Sequence, residues 1–299
     1  MFRLDCAVRG RPPGAAGGGV KAFEALLLVP HADPERNVLL AVREGVVRGY
    51  ARLVLELNIG RAVAWLRVEP EEGGDEAARA LLGAATQRAL LVGASALHVP
   101  VQHAAEAARV GVLRAAGMRV LRRRWLMQRA AAPIDAPRVP EGMRVRPFEP
   151  GKDEASVAEL QNAIFAGTWG YSPRTAEDVA ARLALPGHGP DRVLLIEEGS
   201  RAVGYCWCSR VEEDGKVVGV INMVGVRAER RGHGLGRLVT SLGVRRLLEP
   251  GVGEVELRVD SANAAAVKLY RELGFRRASE VVWYGRRLGV RRPASRTQP

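Results

Sequence analysis

Hydrophobic residues in the second half of the chain follow patterns typical of an alternating α/β fold. The run Val217–Val226 is almost continuously apolar and β-branched, which predicts a strand buried on both faces. Apolar residues then recur at helical spacing over Leu235–Pro250, where the proline ends the helix. Alternation over Val255–Asp260 predicts another strand, and a helix follows between Asn263 and Gly274.

The same order of elements occurs in the first half, so the chain contains an internal repeat. Its 299 residues are about twice the usual length of one domain, which favours two compact units. The apolar and glycine positions of the two copies match, whereas most polar positions do not. The matched segments are Gly49-Tyr50 with Gly204-Tyr205, Trp65–Val68 with Met223–Val226, and Val110–Met118 with Val267–Phe275.

A proline-rich segment separates the two copies. Residues 131–142 hold three prolines and no apolar periodicity, which is typical of a linker. We therefore expect a first domain over 1–130, a linker over 131–141, a second domain over 142–290 and a basic, disordered tail over 291–299.

A glycine-rich turn joins the predicted strand Val217–Val226 to the helix that follows it. The turn reads Arg231-Gly232-His233-Gly234-Leu235-Gly236. At a helix N-terminus, free backbone N–H groups and the helix dipole attract anions, and glycine lets the backbone approach a phosphate closely. A pyrophosphate is the natural ligand, although such a turn taken alone fits a plain tight bend equally well.

The surroundings of this turn resemble the GCN5-related N-acetyltransferase (GNAT) superfamily. The turn follows a Val-Gly-Val strand end and precedes the pattern N-x-x-A-x-x-L-Y-x-x-x-G-F over Asn263–Phe275. Within the superfamily, the tandem layout is similar to the mycothiol synthase-like group, whose substrate is a cysteinyl glucosaminyl-inositol amine. The resemblance implies two tandem αβα domains of mixed α/β (α+β) class, each with a mostly antiparallel sheet splayed at two central parallel strands.

The resemblance also implies how acetyl-CoA, the co-substrate, is held. The end of the strand pairs with the pantetheine arm, the turn binds the pyrophosphate, and Tyr270 protonates the departing thiolate. A tyrosine titrates near ~10 and a thiol near ~8.5, so Tyr270 is neutral at pH 7 and can donate a proton. Taken alone, Tyr270 also fits a core residue. The residues implied for acetyl-CoA are Val224, Gly225, Val226, Arg231, Gly232, His233, Gly234, Leu235, Gly236, Asn263, Ala266 and Tyr270.

The sequence does not identify a general base. The mycothiol synthase-like group has a carboxylate near the start of the strand before the phosphate loop, where this chain has Val220 or Ile221. Asp260, Glu197 and Glu198 are alternative bases, and each fits a solvated charge at a strand end equally well.

The segment Asn162–Thr175 lies where such folds shape the acceptor pocket, between their first two helices. Phe165, Trp169 and Tyr171 fit either pocket walls or core positions. We expect the acceptor to be a primary amine of a small molecule that attacks the thioester directly, without a covalent enzyme intermediate.

The first half lacks this chemistry and is expected to be a degenerate, non-catalytic copy. Its loop Glu69–Glu76 carries carboxylates in place of the glycine-rich turn. Two unit charges ~4 Å apart repel by about 4 kcal/mol at a protein surface, which outweighs the ~1 kcal/mol from a helix terminus. In addition, Glu106 stands at the position of Asn263 and Leu113 at that of Tyr270.

Charge and composition limit the classes of partner that the chain is expected to bind. The net charge of +12 comes from arginines dispersed through both halves, and aromatic residues are few, which argues against a nucleic-acid partner. Cys206 and Cys208 favour buried small hydrophobes over a metal or redox pair, and the histidines lack ligand spacing, so we expect no metal. No signal or membrane segment is evident, and we expect a cytoplasmic monomer or homodimer.

Two alternatives to a small-molecule N-acetyltransferase stay open. One is a non-catalytic sensor of acyl-CoA, and the other is a GNAT enzyme acting on a protein or peptide amine. Tyr270 separates the sensor from the enzyme, because a sensor needs no acid beside the thioester.

Overall fold

The computed structural model describes residues 33–69, 73–102, 109–135, 137–213 and 215–289. The predicted tail 291–299 lies outside these residues. In chain order, the elements are α1 (Pro34–Asn37), β1 (Val38–Arg43), β2 (Val46–Glu56), β3 (Arg61–Val68), α2 (Gly74–Leu91), β4 (Ala96–Val101), α3 (Val110–Ala115), β5 (Arg119–Ala130), β6 (Met143–Pro147), α4 (Glu154–Phe165), α5 (Ala176–Leu183), β7 (Val193–Glu198), β8 (Arg201–Glu213), β9 (Lys216–Val226), α6 (Leu235–Leu247), β10 (Val252–Asp260), α7 (Ala264–Glu272) and β11 (Arg276–Arg287).

The chain forms two compact units that are not contiguous in sequence. Of the described residues, unit 1 contains 33–122 and 281–289, and unit 2 contains 123–280. Strand β5 therefore passes from unit 1 into unit 2, and β11 passes back. These boundaries differ from the contiguous domains 1–130 and 142–290 expected from the sequence, because periodicity identifies a strand but not the sheet that it joins.

Unit 2 is a three-layer αβα structure. Its strands lie in the order β5-β10-β9-β8-β7-β6, and the β9–β10 neighbours run parallel while the other pairs are antiparallel. Helices α6 and α7 pack on one face of the sheet, and α4 and α5 pack on the other. This arrangement matches the predicted fold class.

Successive side chains of β8 point to opposite faces of the sheet of unit 2, and each face has its own hydrophobic core. Cys206 and Cys208 face α6 and are at most 1% exposed, with their Sγ atoms 3.6 Å apart. Tyr205 and Trp207 face α4 and α5 and are fully buried. The cysteines thus pack as small hydrophobes, as predicted, and no three His, Cys, Asp or Glu side chains in the described part of the chain are grouped to hold a metal ion.

Unit 1 repeats the sheet of unit 2 with different side chains. Its strands lie in the order β1-β2-β3-β4-β11, and β3–β4 is the parallel pair. Helices α2 and α3 pack on this sheet around a core rich in alanine, leucine and valine. In the described ranges of the two units, no helix is both long enough and apolar enough to cross a membrane.

Candidate active site

The sheet of unit 2 opens where β9 carries a bulge. Parallel pairing between β9 and β10 ends at Ile221 and Leu257, although β9 continues to Val226. The next residue of β9, Asn222, is skipped in the pairing with β8. A bulge bends its strand, so β9 and β10 splay apart from Asn222 onward. The predicted splay between two central parallel strands is therefore confirmed.

The main chain at the end of β9 faces this opening. The Arg227 N–H donates to the Val203 carbonyl at 2.8 Å, so this pair is hydrogen-bonded across β8 and β9. Bonded and non-bonded pairs alternate along an antiparallel ladder. Gly225 therefore bonds toward β8, while the N–H and C=O groups of Val224 and Val226 point away from β8 toward the opening.

The turn that follows presents free donors. Gly232 and Gly234 adopt left-handed φ values of +82° and +78°, which only glycine accepts readily, and Gly234 is the N-cap of α6 without a side-chain cap. No atom of the described residues accepts a hydrogen bond from the N–H groups of residues 232–236. His233 is exposed, and its Nδ1 lies 2.9 Å from the Arg231 carbonyl. Leu235 anchors the turn from the core at 1% exposure.

The two arginines of the turn are engaged by protein groups. Arg231 donates through Nε to the Val226 carbonyl at 3.3 Å and through Nη2 to the Ile164 carbonyl at 3.1 Å. Arg230 forms an ion pair with Glu198 at 2.6 Å. The anion-attracting character of the turn therefore comes from its backbone, with Arg231 tying the end of β9 to the end of α4.

Helix α7 places Tyr270 in the core beside α6. Tyr270 is 8% exposed, and its ring packs edge-on against Phe275 at 6.1 Å. No described residue hydrogen-bonds to its hydroxyl. Burial raises the pKa of Tyr270 to about 12, so the phenol stays protonated at neutral pH. A Cβ atom on Gly236 would lie 3.5 Å from Leu269, which shows that α7 adjoins the start of α6.

Asn263 begins α7 as its N-cap. Its exposed side chain accepts a hydrogen bond from the Ala266 N–H at 3.1 Å. The predicted residue thus has a local structural role, because an N-cap satisfies a helix donor that otherwise has no partner.

The end of α4 and the segment between α4 and α5 hold the three aromatic residues that the sequence assigns either to pocket walls or to core positions. Phe165, Trp169 and Tyr171 are each partly buried, and the rings of Phe165 and Tyr171 lie 5.4 Å apart. Sequence reasoning missed Asn162, which accepts from the Tyr171 hydroxyl at 2.7 Å and bonds to both the N–H and the C=O of Arg174 at 2.9 Å. Asn162 therefore fixes this segment onto α4.

Two of the three candidate bases, Glu197 and Glu198, form ion pairs with arginines. Glu197 is buried and pairs with Arg144 and Arg146, each at 2.7 Å. Burial opposes ionisation, but the hydrogen bonds from both arginines hold the pKa of Glu197 below its usual value. Glu198 pairs with Arg230. Both lie on β7, which β8 separates from β9.

Val220 and Ile221 of β9 carry no carboxylate, whereas Glu256 of β10, which is 7% exposed, lies opposite Val220 beside the start of the splay. Val220 and Ile221 are buried apolar residues, at 9% and 3% exposure. The bulged Asn222 is the polar side chain that β9 itself places there, and its Nδ2 donates to the Ser209 hydroxyl at 2.7 Å. Asp260, at the end of β10, accepts from the Ala262 N–H at 2.9 Å in the turn to α7.

Unit 1 has an apolar cleft at the equivalent position. Pairing between β3 and β4 ends at Val63 and His98, and a shallow apolar cleft lies beyond it. Leu113, which corresponds to Tyr270, lines this cleft and is 2% exposed. The other lining residues are Leu66, Val68, Ala78, Val99, Pro100, Val101, Arg109 and Val112.

The first turn of α2 is acidic and is covered by Arg109. Asp75 and Glu76 lie in this turn. Arg109 donates to Asp75 at 2.9 Å and to the Glu69 carbonyl at 2.6 Å. The remaining residues of the acidic loop, 70–72, and Glu106 lie outside the described residues.

Comparisons with known proteins agree with this architecture. Residues 155–275 match a sequence model of the Acetyltransferase (GNAT) family. A mycothiol acetyltransferase from Actinosynnema mirum is 36% identical over 256 residues, which cover 82% of each chain. Another from Thermomonospora curvata is 35% identical over 266 residues, covering 87% of this chain and 86% of the relative.

Solved structures show the same fold. A GCN5-related N-acetyltransferase from Sphaerobacter thermophilus aligns with a TM-score of 0.73 at 26% identity, over 96% of this chain and 91% of that protein. A tandem GNAT protein from the clavulanic acid biosynthesis pathway aligns with a TM-score of 0.71 at 20% identity, over 95% and 93% of the two chains. The chain is an acetyltransferase and belongs to the GNAT family, with mycothiol acetyltransferases among its relatives.

Proposed function

We propose that unit 2 transfers an acetyl group from acetyl-CoA to a primary amine of a small molecule. The observation that carries this proposal is the set of groups around the open end of the β9–β10 pair. The outward main chain of Val224 and the outward N–H of Val226 suit an amide-containing arm, and the free N–H groups of residues 232–236 suit a diphosphate. The protonated Tyr270 suits a thiolate leaving group.

The reaction needs no covalent enzyme intermediate. The amine nitrogen attacks the thioester carbonyl carbon, and the C–S bond breaks as the tetrahedral intermediate collapses. Tyr270 gives its proton to the departing thiolate and regains one from solvent, while the amine loses its proton to water. Holding the two reactants at reacting distance supplies much of the acceleration.

The absence of a carboxylate at Val220 and Ile221 favours an amine of low pKa. An α-amine with a pKa of about 8 is roughly one quarter neutral at pH 7.5, whereas a lysine amine near 10.4 is only about 0.1% neutral. We therefore favour an α-amine over a lysine side chain. The cysteinyl glucosaminyl-inositol amine implied by the family resemblance is such an α-amine and is the reference acceptor, in a reaction that we place in the cytoplasm.

Titration calorimetry with CoA and a transfer assay with acetyl-CoA test the proposal together. We expect CoA to bind the native chain with one site and the reference acceptor to gain an acetyl group. If the chain binds CoA but acetylates no amine in a panel of acceptors, the result would favour a non-catalytic sensor of acyl-CoA. If the chain does not bind CoA, the result would overturn both the enzyme and the sensor.

A further inference from the structure

A buried carboxylate lies beside the opening between β9 and β10. Glu256 of β10 is 7% exposed and pairs with Val220 of β9. The next parallel pair, Ile221 with Leu257, is the last before the two strands part. Successive residues of a strand are about 3.3 Å apart, so Glu256 lies one such step from the opening. Burying a charged side chain in a sheet costs free energy, which sets Glu256 apart from its apolar neighbours.

Glu256 faces the side of the sheet on which the acceptor segment lies. Its neighbours in β10, Val255 and Leu257, belong to the core that α6 and α7 cover, so Glu256 points to the opposite face. Helices α4 and α5 pack on that face. A Cβ atom on Gly225, near the end of β9, would lie 3.5 Å from the Phe165 ring at the end of α4. The carboxylate and the acceptor segment therefore border the opening from the same side of the sheet.

The proposed path of the cofactor brings the thioester toward Glu256. The diphosphate is assigned to residues 232–236, beyond the end of β9, and the arm runs back along Val226 and Val224. The thioester, at the far end of the arm, then lies toward the closed end of the opening, where the strands are still paired. Asp260 stands at the open end and is engaged in the turn to α7. Of these two carboxylates of β10, Glu256 is therefore nearer to the reacting atoms.

A second glutamate on the same face of β10 lies further from the opening. Val220 and Gln128 stand directly opposite Glu256 on β9 and β5, and both are uncharged. Glu254 and Arg258 flank Glu256 two residues away on β10. Glu254 accepts from the Gln128 Nε2 at 2.8 Å. Glu254 and Glu256 are thus alike in residue type and in the face that they occupy, but they differ in distance from the opening.

We propose that Glu256 is the general base of the acetyl transfer and acts through one bridging water. Carboxylates serve as general bases, either in direct contact with the proton that they accept or through a single water. A water that bridges two polar groups holds them almost as well as a direct hydrogen bond does. This assignment deepens the proposed function and rests on it for the position of the thioester.

The proton moves after the neutral amine has attacked. The N–C bond forms, and the electron pair of the carbonyl double bond moves to its oxygen. The nitrogen, now positively charged, gives a proton to the water, which gives one of its own to Glu256. The C–S bond then breaks with Tyr270 as proton donor, and Glu256 releases its proton to solvent. Because Glu256 acts on the intermediate and not on the free ammonium, the preference for an amine of low pKa is unchanged.

Glu256→Gln tests the base because it keeps the size of the side chain and removes its basicity. We expect kcat for the reference acceptor to fall at least tenfold, while the KM of the acceptor and the affinity for CoA change less than twofold. Glu256→Asp keeps a carboxylate that a water can reach and should stay within about threefold of native. The matched control, Glu254→Gln, should change kcat less than twofold.

The pH dependence distinguishes a base from a residue that only supports the fold. Native kcat/KM should level off above the amine pKa of about 8. Without the Glu256 carboxylate, hydroxide has to take the proton, so kcat/KM of Glu256→Gln should keep rising to about pH 10 and its deficit should narrow. A deficit that stays constant from about pH 7.5 to about pH 10 would mean that Glu256 takes no proton, and the assignment would be overturned.

Moving the carboxylate across the strand pair tests the assignment by a gain of activity. Glu256→Val combined with Val220→Glu places a carboxylate directly opposite the native position, on the same face and at the same level of the opening. We expect the double variant to have at least fivefold higher kcat than Glu256→Val alone. A double variant that binds CoA like the native chain but is no faster than Glu256→Val would contradict the proposal.

The native protein separates this assignment from the proposed function. If the native chain acetylates no amine, the proposed function fails, and the assignment of a base fails with it. If the native chain acetylates the reference acceptor and Glu256→Gln is equally active, only the assignment of the base is overturned.

Discussion

Units 1 and 2 open their sheets at the same place but line the opening with different chemistry. In unit 1, the space beyond the β3–β4 pair is an apolar cleft, and Arg109 covers the acidic first turn of α2. In unit 2, the space beyond the β9–β10 pair meets a helix start with free N–H groups and the buried phenol of Tyr270. A few side chains at one helix terminus therefore distinguish a scaffold from a candidate catalyst, because the backbone geometry is shared.

We expect the largest effect from a substitution that gives the first turn of α6 in unit 2 the negative charge found in the first turn of α2 in unit 1. Gly236 and Asp75 both occupy the second position of their helices. Gly236→Asp places a negative charge beside the proposed diphosphate site, where repulsion at ~4 Å is worth about 4 kcal/mol before screening. We expect CoA binding, measured by calorimetry, to weaken about 100-fold, which corresponds to about 2.7 kcal/mol.

The variant Gly236→Asn is the matched control for size without charge. A Cβ atom at this position meets Leu269 only at an ordinary contact distance of 3.5 Å, so both side chains should be accommodated. Asparagine should weaken CoA binding less than tenfold. Equal losses in the two variants would mean that shape, not charge, distinguishes the two helix starts.

Tyr270 gives the next largest effect. Tyr270→Phe keeps the ring that packs on Phe275 and removes only the hydroxyl. We expect kcat to fall at least tenfold because the thiolate loses its proton donor, while CoA affinity changes less than twofold. Equal turnover of the variant and the native enzyme would remove Tyr270 from the mechanism and make it equivalent to Leu113 of unit 1.

Sequence patterns predicted the local parts of unit 2 closely. The helix α6 and its glycine-rich start, the strand β9 and the helix α7 lie where periodicity and glycine positions indicate. These features depend on residues that are near neighbours in the chain. The strand β10 begins at Val252, three residues before the predicted Val255, because alternation is interrupted by glycine at that end.

Features that depend on distant contacts were not predictable in this way. The passage of β5 into unit 2 and of β11 into unit 1 is decided by pairing between residues far apart in sequence. The bulge at Asn222 depends on register with β8. None of these leaves a periodic signal in the chain.

The dependence of kcat/KM on pH tests whether the Tyr270 phenol is protonated, which is the property that distinguishes it from Leu113 of unit 1. Burial raises its pKa to about 12, so the phenol keeps its proton far into the alkaline range. The nucleophile is the neutral amine, so kcat/KM should rise about tenfold per pH unit below the amine pKa of about 8 and then stay level. A stopped or steady-state assay from pH 6 to about 10.5 should show less than a twofold decline above pH 9. A larger decline that disappears in Tyr270→Phe would mean that the phenol titrates near its ordinary value.

We expect the smallest effect from replacing Arg109. This substitution tests whether unit 1 contributes to CoA binding or to acetyl transfer. The ion pair of Arg109 with Asp75 is partly exposed, with side-chain exposures of 16% and 55%, so Arg109→Met should lower the free energy of unfolding by no more than about 1 kcal/mol. Transfer activity and CoA affinity should change less than twofold, because the proposed mechanism gives unit 1 no part in the reaction. Calorimetry should give one CoA per chain before and after the substitution, since Asp75 and Glu76 still repel a diphosphate. Two CoA molecules on the native chain would show that the acidic turn does not exclude the nucleotide, and the contrast between the units would then rest on Tyr270 and Leu113 alone.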